Sequence, residues 1–318
     1  MSSYPFRLVR HEAQQQPEPQ LLAQRPFTRA DRSFAADARR FVPGDALETA
    51  INTAIAVGEP LLITGEPGTG KTQAAYYIAY KLGIEPVIHF QVKSDSTARD
   101  LLYHFDTVRY FYDAHLSSLG QPGDGRVAPD KRSYIEPRAL WEAFERSRER
   151  RVPQVVLIDE IDKAPRDFPN DLLLELDKMQ FTIVETGEEV SAPRQLSPIV
   201  IITSNSERRL PEPFLRRCVY QHIQFDDALV EQAVFNRRDE YATLSEEFLR
   251  LAIQRFLMLR DQSLRKRPAT GELLVWLRVL ALATGSDETR LSGDLGSLPY
   301  LGVLLKDRQD IEGLTRQF

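Results

Sequence analysis

The sequence has few of the residues on which several classes of protein depend. A single cysteine, Cys218, cannot form an internal disulfide, and five histidines among 318 residues do not suggest a metal cluster. No apolar run approaches the roughly 18 residues of a membrane-spanning helix, and the N-terminus lacks the apolar core of a signal peptide. We therefore expect a cytoplasmic protein with no membrane segment, in a reducing compartment.

The chain also has no excess of positive charge. Its 41 Lys and Arg residues stand against 46 Asp and Glu residues, which gives a formal net charge of −5. This balance argues against a global basic field for nucleic-acid binding, although it leaves room for a local basic patch. The composition, 42% hydrophobic and 27% charged, is ordinary for a globular protein. The length suits one core of about 200 residues and a smaller second domain.

One segment, Gly65–Thr72 (GEPGTGKT), lies between an apolar run and a helical pattern. Residues 60–64 predict a buried strand and residues 73–82 predict a helix. A strand, a glycine-rich loop and a helix in this order indicate a phosphate-binding loop, whose backbone N–H groups point at phosphate oxygens. Lys71 is expected to reach the β- and γ-phosphates, and the Thr72 hydroxyl to coordinate Mg²⁺. The predicted nucleotide-binding residues are Gly65, Pro67, Gly68, Thr69, Gly70, Lys71 and Thr72.

Two further apolar runs end in polar side chains. Residues 155–158 lead into Asp159 and Glu160, which predicts a buried parallel strand with carboxylates at its C-terminal edge, where open α/β sheets bind ligands. Asp159 is expected to hold Mg²⁺ through water, and Glu160 to polarise the attacking water. Residues 199–204 lead into Asn205, whose amide can hold the same water between Glu160 and the γ-phosphate.

Arg216 and Arg217 directly precede a strand-like segment, residues 219–225. Such a pair is either a surface charge pair or an arginine finger that contacts, in trans, the γ-phosphate bound to a neighbouring subunit. Upstream, residues 181–190 alternate around a glycine turn and predict a hairpin.

The remaining segments leave alternatives open. Residues 1–40 are rich in Gln, Pro and Arg and predict an extended arm, which is either a free tail or a segment that docks on a neighbouring subunit. Residues 95–119 form an inserted element that packs its own aromatic side chains or stacks them on single-stranded nucleic acid. Residues 298–305 are either a last helix or a contact for a neighbour.

Taken together, these motifs resemble an AAA+ ATPase and, more narrowly, the MoxR family. The resemblance covers residues 40–285 and is carried by the strings PLLITGEPGTGKT, VVLIDEIDKAP and LPEPFLRRC, by an insert after the second strand and by the hairpin. It implies that Lys71 and Thr72 belong to Walker A and that Asp159 and Glu160 belong to Walker B. It also implies that Asn205 is sensor 1. The two arginines occupy the arginine-finger region, and Arg217 is favoured because it stands where the family's usual Asp-Arg-Phe has its arginine.

The resemblance also predicts the architecture. We expect an α/β P-loop AAA+ core with a five-stranded parallel sheet of order 5-1-4-3-2, followed by a C-terminal all-α lid. The expected divisions are a flexible arm (1–40), the core (41–225) with an insert (93–134) and a hairpin (181–197), and the lid (226–318).

One position departs from the family pattern. Gly271 stands where related lids carry the sensor-2 arginine. Arg265, Lys266 or Arg267 could substitute for that arginine from one turn upstream, or the three could form a basic surface loop.

For function, the resemblance implies Mg²⁺-dependent ATP hydrolysis at the subunit interfaces of a homo-oligomeric ring, a hexamer. It also implies a partner with a von Willebrand factor A domain and a protein client that the ring remodels. The absence of an Asn-Lys-x-Asp motif also favours ATP over GTP. Three alternatives remain: a nucleic-acid-directed or defence-system NTPase, a small-molecule kinase, and a slowly hydrolysing ATP switch. The acidic charge disfavours the first, the adjacent acids with Asn205 disfavour the second, and the missing sensor-2 arginine leaves the third open.

Overall fold

The computed structural model describes residues 19–26, 33–118, 129–283 and 285–315. These residues divide into two compact units. The sheet unit comprises Pro43–Gly65 and Lys71–Ile223, and the helical unit comprises Glu66–Gly70, Gln224–Phe318 and the residues up to Val42, as far as each range is described. The division after Ile223 lies two residues before the expected boundary.

The secondary structure alternates strands and helices up to residue 223 and is helical beyond it. The β-strands within the described ranges are β1 (Leu61–Gly65), β2 (Ile88–Gln91), β3 (Tyr103–Phe105), β4 (Ile135–Pro137), β5 (Val155–Asp159), β6 (Gln180–Thr182), β7 (Glu189–Ser191), β8 (Ile199–Ser204) and β9 (Val219–Ile223). The α-helices are α1 (Phe34–Asp37), α2 (Asp45–Val57), α3 (Lys71–Leu82), α4 (Ala98–Leu102), α5 (Thr107–Ser118), α6 (Ala139–Arg150), α7 (Phe168–Asp171), α8 (Leu173–Lys178), α9 (Glu212–Leu215), α10 (Asp227–Phe235), α11 (Glu246–Arg260), α12 (Thr270–Ala283), α13 (Leu301–Leu304) and α14 (Arg308–Thr315). Short 3₁₀ helices connect them, among them Pro19–Gln24, Ala38–Arg40 and Ile161–Lys163.

One five-stranded sheet organises the sheet unit. Its strand order is β2-β5-β8-β1-β9, and every pairing is parallel. Counted along the chain, these five strands have the order 5-1-4-3-2. The predicted fold, an α/β P-loop core with a helical C-terminal part, is therefore confirmed.

The central strands are apolar because helices cover the sheet. Every residue of β1 and β5 is buried, as are five of the six residues of β8. Helices α2, α3 and α6 pack on the sheet strands, and α3 does so through small and apolar side chains that recur at helical spacing, Ala74, Ala75, Ile78 and Ala79. Strands buried on both faces lose the alternation of polar and apolar residues, which is why these segments are continuous apolar runs in the sequence.

Two small antiparallel ribbons belong to the same unit. β3 pairs with β4, and β6 pairs with β7. The Tyr103 hydroxyl connects them, because it donates to Glu185 (2.9 Å) and accepts from the backbone N–H of Val184 (3.0 Å). The Tyr103 ring also stacks on Phe181, with ring centroids 6.1 Å apart. The insert and the hairpin therefore share one packed core.

The helical unit has a core of its own. Helices α10 to α14 bury Trp276, Phe248 and Phe256, among other residues. The indole N–H of Trp276 is satisfied by the carbonyl of Pro299 at 2.7 Å. Residues 298–305, for which two interpretations were open, include α13 and bury Leu301 and Leu304 in this core.

Part of the predicted arm lies outside the described residues, namely 1–18 and 27–32. The described part includes α1, whose first turn is capped by the Ser33 hydroxyl. Within the helical unit, Arg40 bonds Glu240 at 2.5 Å, and Asp37 lies 3.9 Å from Arg237. Among the described helices, none has the length and apolar character needed to cross a bilayer.

Candidate nucleotide and hydrolysis site

The loop between β1 and α3 needs glycine at two positions. Gly68 has φ of 79° and Gly70 has φ of 91°, both in the left-handed region. Within the helical unit, a Cβ on Gly68 would lie 2.6 Å from the Cβ of Ala269, and a Cβ on Gly70 would lie 2.7 Å from Phe41 Cε2. Both the backbone angle and the lack of space therefore exclude a side chain at these two positions.

Lys71 begins α3 directly after this loop. The residue is 6% exposed, and its Nζ donates to the carbonyl of Gly65 at 2.9 Å. A buried ammonium at the N-terminus of a twelve-residue helix places positive charge beside orphan backbone donors. This combination binds phosphate oxygens.

Asp159 is the last residue of β5 and lies at the carboxyl edge of the sheet. Its Oδ1 accepts hydrogen bonds from Thr72 Oγ1 (2.9 Å) and Thr203 Oγ1 (2.5 Å), and its Oδ2 lies 3.3 Å from His89 Nε2. Burial raises the pKa of Asp159, but the hydrogen bonds from His89, Thr203 and Thr72 outweigh it, so the pKa lies below its ordinary value. The carboxylate is thus held in its ionised form.

Glu160 follows with φ of 60°, which turns its side chain away from the line of β5. Its Oε1 accepts from Asn205 Nδ2 at 3.1 Å, and its Oε2 accepts from Gln91 Nε2 at 2.8 Å and from Lys163 Nζ at 2.5 Å. The hydrogen bond to Glu160 raises the pKa of Lys163, so the ammonium stays charged. Three donors therefore converge on this carboxylate.

Thr203 links the two acids. It lies on β8, the neighbour of β5, where Ile158 pairs with Ile202. Its hydroxyl donates to Asp159 and accepts the backbone N–H of Glu160 at 2.8 Å. The predicted Asn205 lies two residues further along, and its backbone N–H donates to the buried Asp162 at 3.1 Å.

Arg216 and Arg217 make their ion pairs outside this cluster. Arg217 Nε lies 3.8 Å from Asp177, and Arg216 Nε lies 4.0 Å from Glu212. The Arg216 side chain is 82% exposed and that of Arg217 is 45% exposed, so both lie at the surface of the sheet unit. Within the described part of one chain, the partners of these two arginines are Pro213, Glu212 and Asp177, and neither Asp159 nor Glu160 is among them.

Gly271, the position where the resemblance predicts a sensor-2 arginine, belongs to the helical unit. Gly271 lies in the first turn of α12, and nothing lies within 4 Å of a Cβ placed there. Arg265 donates to Gln309 at 2.6 Å. A different cation, the buried Arg260, stacks on Phe225 at 3.6 Å and forms an ion pair with Glu66. Arg260, which pairs with Glu66 of the glycine-rich loop, is thus a further candidate for the role of the sensor-2 arginine, and sequence reasoning did not consider it.

Comparison with known proteins identifies the family. Residues 60–218, half of the chain, match the AAA domain, dynein-related subfamily. The chain belongs to this AAA family. A crystal structure of a protein from Cytophaga hutchinsonii, provisionally described as an ATPase, is 15% identical, with 90% of this chain and 93% of that chain covered and a TM-score of 0.41. None of the curated proteins matches significantly.

Membership in the AAA family implies ATP binding and ATPase activity at the level of the family. The AAA+ assignment from sequence is thereby confirmed, whereas the MoxR branch stays a prediction. The matched residues include the glycine-rich loop, both acids, Asn205 and the two arginines.

Several residues of the AAA site were missed by sequence reasoning. His89 and Gln91 lie on β2 at alternate positions, and each contacts one of the two acids. Thr203 and Lys163 also bond these acids. Polar residues two apart in an otherwise apolar strand were the available signal, since they point to the same face of the sheet.

Proposed function

We propose that this AAA+ protein is a MoxR-like ATPase. It hydrolyses ATP with Mg²⁺ at the subunit interfaces of a homo-oligomeric ring, a hexamer, and uses the energy to remodel a protein client. The observation that carries the proposal is the meeting of side chains at the sheet edge, with Thr72 bonded to Asp159 at 2.9 Å and Asn205 bonded to Glu160 at 3.1 Å.

The residues present fit Mg²⁺ bound with a nucleotide. Mg²⁺ takes oxygen ligands and is usually held by one or two carboxylates together with substrate phosphates. Thr72 and Asp159 supply a hydroxyl and an ionised carboxylate in contact with each other. The Thr72 hydroxyl oxygen keeps lone pairs that can bind a cation while its O–H donates to Asp159. When bound, the ion neutralises charge on the phosphates.

The protein's own groups bind the phosphates and activate the attacking water. The loop N–H groups and Lys71 bind phosphate oxygens and fix the γ-phosphate in line with the attacking water. Asn205 orients that water, and Glu160 polarises it. Gln91 and Lys163 both donate to Glu160 Oε2, whereas Oε1 accepts from Asn205 and has a second lone pair that can accept a bond from the attacking water.

The arginines support a shared site. Arg216 and Arg217 are at the surface, with weak ion pairs at 4.0 and 3.8 Å that a stronger partner can replace. A phosphate of the neighbouring subunit is such a partner, and a heterologous interface repeated around a closed ring supplies one per subunit. Arg217 remains our choice for the finger, with Arg216 as its direct comparison. The partner with a von Willebrand factor A domain rests on the MoxR resemblance alone.

The first experiment measures phosphate release against protein concentration. Specific activity should rise with assembly, and Glu160→Gln should lower turnover by about 100-fold or more while ATP still binds. Arg217→Ala should lower turnover by about 1,000-fold. Arg308→Ala removes a more exposed arginine, on α14, that likewise pairs with an acidic side chain, and it serves as the control. Background turnover by an assembled wild-type ring that binds ATP would instead support the switch.

Mixing the two inactive variants tests the finger in trans. In an equimolar mixture, about a quarter of interfaces should pair the intact Glu160 of one subunit with the intact Arg217 of its neighbour, and activity should return accordingly. Activity that is independent of concentration and indifferent to both Arg216→Ala and Arg217→Ala would contradict the ring model. A phosphorylated small molecule in place of free phosphate would support a kinase.

A second candidate, a nucleic-acid-directed NTPase, is favoured by one observation. Helix α5 exposes Phe111 and Tyr112, each 64% accessible, beside Val108 at 82%. Such rings can stack on bases. Labelled single-stranded DNA, titrated at about 50 and 200 mM salt, should then bind with a steep salt dependence that Phe111→Ala weakens. If single-stranded DNA does not bind, the exposed face of α5 is instead a candidate contact for the protein client.

A further inference from the structure

A second hydrogen-bonded path reaches Asp159 from the edge strand of the sheet. His89 lies on β2, and its Nε2 is 3.3 Å from Oδ2, whereas Thr72 and Thr203 bond the other carboxylate oxygen, Oδ1. On the opposite side of the imidazole ring, Nδ1 lies 3.0 Å from the hydroxyl of Tyr76 on α3. Three elements of the sheet unit therefore meet at one carboxylate.

The chemistry of the three groups fixes the direction of these bonds. A carboxylate can only accept, so Nε2–H donates to Asp159. In the neutral imidazole Nδ1 is then the acceptor, and the Tyr76 hydroxyl donates to it. The Tyr76 ring stands edge-on to the imidazole, with an interplanar angle of 79°. Burial, and then the charge of Asp159, raises the pKa of Tyr76, so the hydroxyl remains a protonated donor. Tyr76 thus selects the tautomer that His89 needs.

We propose that His89 and Tyr76 are positioning residues that hold Asp159 in the orientation required for Mg²⁺ binding. The inference rests on the proposed function. Rotation of the carboxylate about its last torsion would move Oδ1 away from Thr72, and the bond from His89 to Oδ2 opposes that rotation. Partners of this kind, which bond a ligand and not the metal, typically change metal affinity by about 10- to 100-fold.

The test measures Mg²⁺ affinity without relying on turnover. Binding of a fluorescent ATP analogue is titrated with Mg²⁺, and the half-saturating Mg²⁺ concentration is compared among variants. His89→Ala should raise it by about tenfold or more. His89→Gln retains an N–H donor and should recover most of the loss. Tyr76→Phe, which keeps the ring, should raise it by about fivefold, the worth of one hydrogen bond.

A double-mutant cycle separates the relay from two independent effects. In the His89→Ala background the Tyr76 hydroxyl has no imidazole to orient, so Tyr76→Phe should add nothing. The controls are His104→Gln, an exposed histidine of β3, and Tyr80→Phe, one turn further along α3. Both should match the wild type.

The outcomes distinguish this inference from the proposed function. Equal half-saturating Mg²⁺ concentrations in wild type, His89→Ala and Tyr76→Phe would overturn the positioning role and leave the ATPase proposal intact. Additive effects in the double variant would overturn the relay through His89. Nucleotide binding that ignores Mg²⁺ in the wild type would overturn the proposed function, and the inference with it.

Discussion

Replacing Thr203 by valine tests whether one hydroxyl holds both acids. Valine has nearly the same shape, so the substitution removes the hydroxyl with little change in packing. Two bonds are lost: the one to Asp159 at 2.5 Å and the one from the backbone N–H of Glu160 at 2.8 Å. Thr203 is 1% exposed, so water does not readily replace its hydroxyl.

The expected cost follows from these two bonds. A hydrogen bond to a charged group contributes about 1.5–3 kcal/mol, and a donor left without a partner costs about 1–3 kcal/mol. Because the contributions overlap and the site can relax, we expect Thr203→Val to lower the free energy of unfolding by about 2–4 kcal/mol. Thr203→Ser keeps the hydroxyl and loses one methyl group, which should cost about 1 kcal/mol.

Urea denaturation is the appropriate assay, with the midpoint compared at constant slope. The pH dependence adds a second check. Thr203 is among the groups that hold the pKa of Asp159 below its ordinary value, against the effect of burial. A depressed folded-state pKa contributes stability that is fully present above the unfolded pKa of about 3.9 and is lost as the pH falls through the folded value. The deficit of Thr203→Val should therefore be full at neutral pH and shrink in acid.

A valine variant as stable as the serine variant, with a parallel pH profile, would refute this reasoning. It would mean that water or a shifted side chain replaces the hydroxyl. The serine variant should also retain phosphate release, whereas the valine variant should lose most of it, since both acids lose a bond.

Two further predictions concern the loop and the inserted ribbons. Gly68→Ala should lower nucleotide affinity about tenfold, because φ of 79° and a Cβ 2.6 Å from that of Ala269 both oppose a side chain. Gly83→Ala, with φ of 67° and no atom within 4 Å, carries the backbone strain alone and should leave affinity unchanged. Tyr103→Phe should cost about 1–3 kcal/mol of unfolding free energy by urea titration, since the hydroxyl bonds Glu185 and a backbone N–H. Burial raises the pKa of Glu185, but the bond from Tyr103 and other interactions lower it overall. The loss of unfolding free energy in Tyr103→Phe should therefore fall once the pH drops below the folded pKa of Glu185. An equal loss in acid would contradict a charged Glu185 as the partner of Tyr103.

The sequence was most informative where chemistry and periodicity coincide. The apolar runs that end at Asp159 and Asn205 are β5 and β8, which are neighbours in the sheet. The predicted side chains meet because parallel neighbours bring their carboxyl ends to one edge. Periodicity predicted only the strands, and the order in which they pair came from the family resemblance.

What the sequence could not predict depends on contacts between distant segments. His89 contacts Asp159 and Gln91 bonds Glu160 only because β2 is the neighbour of β5. Nothing in the local sequence of residues 88–91 specifies that neighbour. The same holds for Tyr103 and Glu185, 82 residues apart. The exposure of single side chains could not be predicted from the sequence either, so the greater accessibility of Arg216 over Arg217 was not expected.

The backbone of Glu160 shows how these distant contacts serve the chemistry. Its left-handed conformation, with φ of 60°, costs about 1–2 kcal/mol for a residue other than glycine. Two hydrogen bonds hold it there: its N–H donates to Thr203, and its carbonyl accepts from the N–H of Lys163 at 3.0 Å. An extended backbone at this position would continue β5 and carry the carboxylate away from Asn205. The left-handed backbone directly after β5 therefore lets the adjacent Asp159 and Glu160 bond different partners, Thr72 for the first and the Asn205 amide for the second.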